Sequence, residues 1–478
     1  MKGNLNLPQG LRNPVTVLLD IDKVIREGDS KLILASMLAA RGMRTVLAIG
    51  GQNTEIAFKS KKLIWFGKGM IPPLSTLSKP ESFEERVKCA SATLDKLQQN
   101  CSAAIYTHDE GGIYQTYSWH EMLFFKHKLH VLKGRDFDRI CTWGERQKYL
   151  MADYLPQMRE RITTTGSIRF DLCRPEYAWL HQDEIADIRS RFSPYILMCT
   201  RFGSVASMEG DINKYFRQRF KMNKWSADVE HDRIIDIVFT KWRQDIHDFA
   251  EFVVLAKELA ALYPYKKIII RPHPSEGLSF YANALRVFPN VVVIREGNVL
   301  SWIRGADLIV HSNCTTGIEG VLAGKPVLSF LPGNAQTRAG LNVEVAHEAG
   351  MVAHSVEEAL AIAEILQSES SSAAQVWTQH AHTILHNLEN TALPLTIDQI
   401  FRVADERNIT NSRLVLPSAL RNSPFMHRMK AMVGKTVNTD DQFDRVFIKK
   451  TLAGCRSRGQ GGGTLGEFCP TFAVINPD

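Results

Sequence analysis

Lys267-Ile268-Ile269-Ile270-Arg271-Pro272-His273-Pro274-Ser275-Glu276 decides the fold, together with its downstream counterpart Leu308-Ile309-Val310-His311-Ser312-Asn313-Cys314-Thr315-Thr316. Each opens on an uninterrupted apolar run, which is how a strand buried on both faces of a parallel sheet reads. Two prolines stop the first run by forbidding helix. The second ends in a hydroxyl-rich turn that leads into Gly317-Ile318-Glu319-Gly320. Open α/β sheets bind nucleotides at such strand ends. Free N–H groups at a helix start add roughly half a unit of positive charge, which favours phosphate. Each half also has an ordinary reading, the Ser/Thr cluster as an N-cap and His273 as a loop residue; on neighbouring strand ends of one domain, they favour a nucleotide site.

Outward from these turns, strand and helix alternate along the chain. Strands are expected at Val15 to Leu19, Arg44 to Ile49, Leu63 to Phe66, Ala103 to Thr107, Arg139 to Trp143 and Ile162 to Thr165, with helices at Ser30 to Arg41, Phe83 to Gln98 and Glu145 to Tyr154. A second series begins at Tyr195 to Cys199 and continues through a helix from about Asp245 to Leu262. It goes on with strands at Lys267 to Ile270, Val291 to Ile294, Leu308 to Val310 and Val327 to Phe330, and a helix at Val356 to Gln367. Such alternation requires parallel sheets with crossover helices. The expected architecture is α/β, with two Rossmann-like domains whose parallel sheets face an interdomain cleft. Residues 1–175 form an N-terminal, acceptor-side domain, 176–193 a linker, 194–408 a C-terminal nucleotide-sugar-binding domain, and 409–478 an extension that is poorly ordered at its end. Gly459-Gln460-Gly461-Gly462-Gly463 reads as flexible linker.

Length and composition agree with that division. A chain of 478 residues exceeds what one core usually organises. With 44% hydrophobic and 23% charged residues it is globular rather than disordered. No apolar run approaches the twenty or so residues that span a bilayer, and the start lacks a signal-peptide core; the expected place is the cytoplasm. The eight cysteines are scattered without a C-x-x-C pair, so neither zinc nor a disulfide framework is expected. A net charge of +7 is mild, suits an anionic substrate or membrane face, and does not indicate nucleic acid. The basic, aromatic run Lys214 to Trp225 suggests contact with acceptor or with the inner membrane as a peripheral protein, or a solvated helix over the sheet.

Acid–base candidates come from His108-Asp109-Glu110-Gly111-Gly112, at the carboxyl end of the strand Ala103 to Thr107. Successive side chains on a strand point to opposite faces, so one of Asp109 and Glu110 would meet substrate. The glycines would let the backbone turn beside a ligand. A carboxylate there could take or give a proton if burial raises its pKa, or it could cap a helix or pair with a local base.

In chain order, Arg26-Glu27-Gly28-Asp29-Ser30, Asp109-Glu110-Gly111, Thr165-Gly166-Ser167-Ile168-Arg169-Phe170-Asp171-Leu172-Cys173-Arg174-Pro175-Glu176, Arg271 to Glu276, Arg295-Glu296-Gly297 and Cys314-Thr315-Thr316-Gly317-Ile318-Glu319-Gly320 resemble the bacterial surface carbohydrate biosynthesis proteins, from about Val15 to Ala353. That resemblance implies a GT-B glycosyltransferase similar to Kdo transferases and polysialyltransferases. Such an enzyme moves an acidic sugar from a CMP-activated donor to a glycan or lipid-linked glycan acceptor of a capsule or lipopolysaccharide. Carried over, Glu110 or Asp109 is the catalytic acid/base, and His273, Pro274, Ser312, Thr315 and Thr316 hold the donor, joined by Ser275 and Asn313 of the same turns. Arg271 could add a charge-assisted contact to phosphate or sugar carboxylate, or pair with a local acid. Glu319, four residues after Thr315, could accept from ribose hydroxyls, or pair within its domain. Arg26 and Asp29, after the first strand, either bind acceptor or start the helix, and Gly111 and Gly112 fall to the acceptor. No Asp-x-Asp motif accompanies the acidic turn, so no metal and no cofactor are expected. The alternatives are a CDP-glycerol glycerophosphotransferase or UDP-sugar epimerase of the same fold, or a non-catalytic scaffold of polysaccharide assembly.

Overall fold

The computed structural model of the protein describes residues 14–21, 24–49, 51–68, 91–92, 94–95, 98–107, 132, 135–206, 231–333, 344–348, 350–368, 377–416, 444–469 and 472–477. Two sheets organise these residues. The first contains β1 (Thr16–Ile21), β2 (Arg44–Ile49), β3 (Leu63–Gly67), β4 (Ala103–Thr107), β5 (Arg139–Thr142) and β6 (Ile162–Thr164). The second contains β7 (Tyr195–Cys199), β8 (Lys267–Arg271), β9 (Val291–Val293), β10 (Leu308–His311), β11 (Val327–Phe330) and β12 (Met351–Ala353). All of these pair in parallel with their neighbours. The two Rossmann-like α/β domains expected from the alternating pattern are therefore present.

Strand order locates the functional edge of each sheet. The second runs β12-β11-β10-β7-β8-β9, so the chain reverses its direction of travel between β7 and β10. That reversal opens a crevice at the carboxyl ends of those two strands, the usual ligand position in an open α/β sheet. Register makes it sharper, because Cys199 is level with both Arg271 and His311. Thr200, Pro272 and Ser312 therefore leave the sheet side by side. In the first sheet the parallel strands run β2-β1-β3-β4-β5-β6, and the reversal falls between β1 and β3. The segments that follow those strands carry Arg26-Glu27-Gly28 and Lys68.

Apolar side chains cover both faces of each sheet, and a further cluster joins the domains. Trp143, Phe170 and Cys173 of the first pack with Leu300, Ile318 and Leu322 of the second, together with Ala381, Ile384 and Leu388. Dispersion and desolvation thus hold the two halves together near the mouth of the second sheet.

Four expectations about the chain's course are corrected. Residues 176–193, read as a linker, form a 3-10 turn at Pro175–His181 and a helix at Gln182–Phe192, whose Ile188 is buried among Tyr195, Trp302 and Ile303. The long helix begins at His231 rather than Asp245, and runs to Leu262. Helix Ala392–Glu406, placed by sequence in the second domain, buries Leu393, Ile397, Ile400 and Val403 in the core of the first. Finally, the described residues toward the end of the chain form regular structure: helix Arg445–Ser457 leads to β13 (Thr464–Cys469) and β14 (Phe472–Asn476), a hairpin that adds to β2 through antiparallel pairing of β14. The glycines that read as linker allow close approach instead. Gly462 N–H donates to Ser36 O at 2.9 Å, and a Cβ on Gly461, at φ +156°, would lie 2.5 Å from Ser36 Oγ.

Candidate functional site

Glu276 is the buried post around which the turns after β7 and β8 are built. Its Oε2 accepts from Thr200 Oγ1 at 2.8 Å and from the Tyr281 hydroxyl, while Oε1 accepts from Phe202 N–H at 2.8 Å and His273 N–H at 3.3 Å. Burial raises its carboxyl pKa and the four donors pull it back. One side chain thereby satisfies donors from two strand ends that no ladder reaches.

Above that post, Ser275 fixes the His273 ring. Ser275 N–H donates to Nδ1 at 3.2 Å and Ser275 Oγ lies 2.8 Å from the same atom. Nδ1 is therefore the acceptor, which places the proton of the neutral ring on Nε2. The imidazole keeps contact with solvent, yet protein crowds it on several sides, as it does a group in a cleft wall. Desolvation first, and then the guanidiniums of Arg201, Arg295 and Arg26, lower its pKa. Arg26 belongs to the first domain, so the segment after β1 faces the turn after β8. Pro274 and Ser275 are exposed beside the ring.

Arg271 plays a supporting part. Its terminal nitrogens donate to Glu296 O and Gly297 O, each at 2.6 Å, and its guanidinium lies 5.7 Å from the Trp302 ring centre. Arg295 in turn donates to His273 O at 3.0 Å and Glu276 O at 2.8 Å. The Arg295-Glu296-Gly297 stretch thus braces the His273 turn through paired guanidinium contacts.

Across the crevice, the turn after β10 is unusually polar for its depth. His311 is fully buried, with Nδ1 accepting from Cys314 N–H at 3.4 Å and Nε2 lying 2.8 Å from Ser329 Oγ. Burial pushes its pKa down to about 3, so the ring is neutral. It stacks on His347 with centroids 5.2 Å apart, and His347 Nε2 lies 3.2 Å from Asn313 Oδ1. Asn313 sits in the left-handed region at φ +53°, a conformation that asparagine tolerates better than most residues. Gly317 is required here, because a Cβ would fall 2.4 Å from His311 Nε2. Thr315 caps helix Thr316–Leu322 without a side-chain bond, and Thr316 is buried. Ser312 Oγ, at zero exposure, has no hydrogen-bond partner among the described residues. Glu319 is buried too; its Oε1 accepts from Arg169 of the first domain at 3.3 Å, and its Oε2 has no partner.

On the first domain's side, Glu27 is 2% exposed and collects cations. Arg26 reaches its Oε1 at 2.6 Å and Lys68 at 3.2 Å, while Lys31 lies with Nζ 4.3 Å from the Phe66 ring centre. Burial opposes its ionisation, but Lys68, Arg26 and Lys31 together hold its pKa below the ordinary value. Asp29 receives His181 Nε2 at 2.8 Å and Asn298 Nδ2 at 2.9 Å.

The structure thus brings His273, Ser275, Ser312, Asn313, Thr315, Thr316 and Glu319 to one crevice of the second sheet, with Arg26 facing it. Asp109, Glu110, Gly111 and Gly112 lie outside the described residues, as does the run Lys214 to Trp225. Among the described residues no group of three or more His, Cys, Asp or Glu side chains is arranged to hold a metal ion, and no helix is long and apolar enough to cross a membrane. Glu276, Glu27 and Arg169 stand inside the quoted motifs, but sequence reading gave them no task. Lys68 had no signal beyond following a strand.

No family model matches the chain, and no curated protein matches it. Solved structures that are similar include the UDP-GlcNAc 2-epimerase of Rickettsia bellii, at 13% identity and TM-score 0.47, over 83% of this chain and 99% of that one. The UDP-GlcNAc 2-epimerase of Methanocaldococcus jannaschii is 12% identical with TM-score 0.45, over 82% and 99%. That of Neisseria meningitidis, bound to UDP-GlcNAc, is 14% identical with TM-score 0.45, over 81% and 99%. At these values the likeness is one of general architecture and carries no chemistry across.

Proposed function

We propose that the chain is an enzyme acting on a nucleotide-activated sugar, with the nucleotide lying between the His273 turn and the Ser312 to Glu319 segment. The observation that carries this reading is the opposition of the two sheets' reversal points. Arg26, from the segment after β1, acts on His273 at the end of β8, which also feels Arg201 and Arg295. Guanidiniums from both domains converging on a neutral imidazole suit an anionic group that must be held without surrendering a proton. Behind it, Ser312 Oγ and Glu319 Oε2 are buried polar atoms of the kind that ribose hydroxyls satisfy.

The motif resemblance supports the finer reading, transfer of an acidic sugar from CMP to a surface glycan, with Asp109 or Glu110 as acid/base. A UDP-sugar epimerase is the second reading. An epimerase must take and return protons on one sugar, and the buried Glu27 with Lys68 and Arg26 supplies titratable groups at the first sheet's reversal point.

One pair of incubations tests both. Purified protein is given a CMP-activated 3-deoxy-ulosonic acid, with and without glycan acceptor, and separately UDP-GlcNAc in deuterated water. Acceptor-dependent release of CMP supports transfer. Deuterium in the recovered UDP-sugar without any acceptor supports epimerisation. Failure to bind or turn over any sugar nucleotide contradicts the proposal.

A further inference from the structure

Glu319 lies on the second domain, but among the described residues its hydrogen-bond partner comes from the first. Arg169 sits in the four-residue helix Ile168–Asp171, and its NH2 group donates to Glu319 Oε1 at 3.3 Å, leaving Oε2 without a partner among the described residues. The Arg169 guanidinium lies 5.0 Å from the Phe170 ring centre, and Phe170 belongs to the apolar cluster shared with Ile318 and Leu322 on Glu319's own helix. The pair is therefore built into the domain junction and is not a surface contact.

We propose that Arg169 is a positioning residue for the nucleotide half-site, orienting the Glu319 carboxylate so that its second oxygen accepts ribose hydroxyls only while the two domains are in contact. This rests on the nucleotide reading above and adds to it that the second domain's site is incomplete by itself.

The surroundings of Glu319 leave that task to Arg169. Burial raises the Glu319 pKa, and Arg169 is the charge that lowers it. Arg304, on the neighbouring helix Val299–Gly305, donates to Leu172 O at 2.6 Å and Arg174 O at 3.2 Å. The thiols of Cys173, Cys199 and Cys314 are all pushed up by burial and stay neutral near pH 7. On the Gly317 side, His311 is neutral and stacks on His347. Without Arg169 the carboxyl has no counter-charge and takes up a proton. A protonated Glu319 loses acceptor capacity at the oxygen that holds the proton.

The test is calorimetric titration of wild type, Arg169→Ala, Arg169→Lys, Glu319→Gln and the Arg169→Ala/Glu319→Gln double variant with CMP and UDP from pH 6 to 9. Each affinity is expressed as a ratio to wild type, which cancels titration of the nucleotide phosphate. Arg169→Ala is expected to bind roughly tenfold more weakly at pH 6, the loss of one charge-assisted contact, with the deficit shrinking toward pH 9. Arg169→Lys restores most of the affinity, Glu319→Gln shows a deficit that does not change with pH, and the double variant is no weaker than Glu319→Gln. An Arg169→Ala deficit that is flat with pH and adds to that of Glu319→Gln, in a protein with wild-type circular dichroism, overturns the proposal and makes Arg169 a packing residue. If wild type binds neither nucleotide, the nucleotide reading itself fails and this inference falls with it.

Discussion

Asn298 Nδ2 donates to Asp29 Oδ2 at 2.9 Å, tying the loop before helix Val299–Gly305 of the second domain to the first turn of helix Asp29–Ala40 in the first. Asn298 also caps its own helix through Oδ1 and Leu300 N–H at 2.9 Å, so both ends of one amide are committed. Just upstream, Arg271 pins Glu296 O and Gly297 O. A continuous series of contacts therefore runs from the end of β8, beside His273, to the opposite domain. Such a series makes the geometry of the crevice depend on how the domains sit.

His181 joins that junction and makes it sensitive to pH. Burial favours the neutral ring, but Asp29 and Glu184 outweigh it and raise the pKa. The folded protein therefore holds this proton more tightly than the unfolded chain, where histidine titrates near about 6.5. Stability from this group is full below that value and is lost as pH rises through the higher folded value. Urea unfolding of wild type should show this decline between pH 6 and 8, and Asp29→Asn should weaken it while costing about 1–2 kcal/mol at pH 6.

Removing the post under the His273 turn should cost more. Glu276→Ala leaves the Thr200 and Tyr281 hydroxyls and the Phe202 N–H unsatisfied in a buried place, while His273 N–H keeps Thr200 Oγ1 as acceptor, at about 3 kcal/mol in urea unfolding. Glu276→Gln keeps the shape but replaces one acceptor oxygen by a donor facing other donors. It should fold, with a smaller loss of stability and weaker nucleotide binding by calorimetry.

Asp171 replaces the missing side-chain cap of helix Ala392–Glu406. Its oxygens accept from Ala392 N–H at 2.9 Å, Leu393 N–H at 2.7 Å and Asn387 Nδ2 at 2.6 Å. Burial nonetheless pushes its pKa up to about 6. Native protein thus keeps this proton in a range where the unfolded chain has lost it, and the stability it contributes falls as pH rises from about 4 through the folded value. Asp171→Asn should flatten that part of the pH–stability curve and lower stability by about 1–2 kcal/mol near pH 7, by loss of an acceptor at the helix start.

The returning hairpin should prove structural. Gly461→Ala places a methyl against Ser36 Oγ and the backbone of the same helix, at a φ that side chains rarely adopt. We expect a loss of about 1–3 kcal/mol in unfolding free energy and faster amide exchange in β14 and β2.

How far the sequence could be read depends on whether the cause of a feature is local. Lys267 to Arg271 and Leu308 to His311 were legible because burial on both faces demands an unbroken apolar run, and Pro272 and Ser312 mark where the runs stop. Glu276 was visible in the same stretch, but its meaning depends on Thr200, far away in the chain, reaching the same carboxylate. Arg169 and Glu319 are 150 positions apart, and only domain packing joins them. The glycines at 459 to 463 misled for a related reason. Gly462 bonds to Ser36, and that contact turns a composition typical of linkers into a packed turn. Helix Ala392–Glu406 takes its cap from Asp171, more than two hundred positions away in the chain, so its attachment to the first domain is not written in its own sequence.

A crystal structure of the protein with a bound nucleotide would locate the site directly. Ribose density is expected against Ser312 and Glu319, and phosphate density within reach of His273 with Arg26 turned toward it. Nucleotide density elsewhere, for instance in the cavity of about 450 Å³ lined by His247, Glu258, Pro332 and His354, with the crevice between the β8 and β10 turns unchanged, would contradict it.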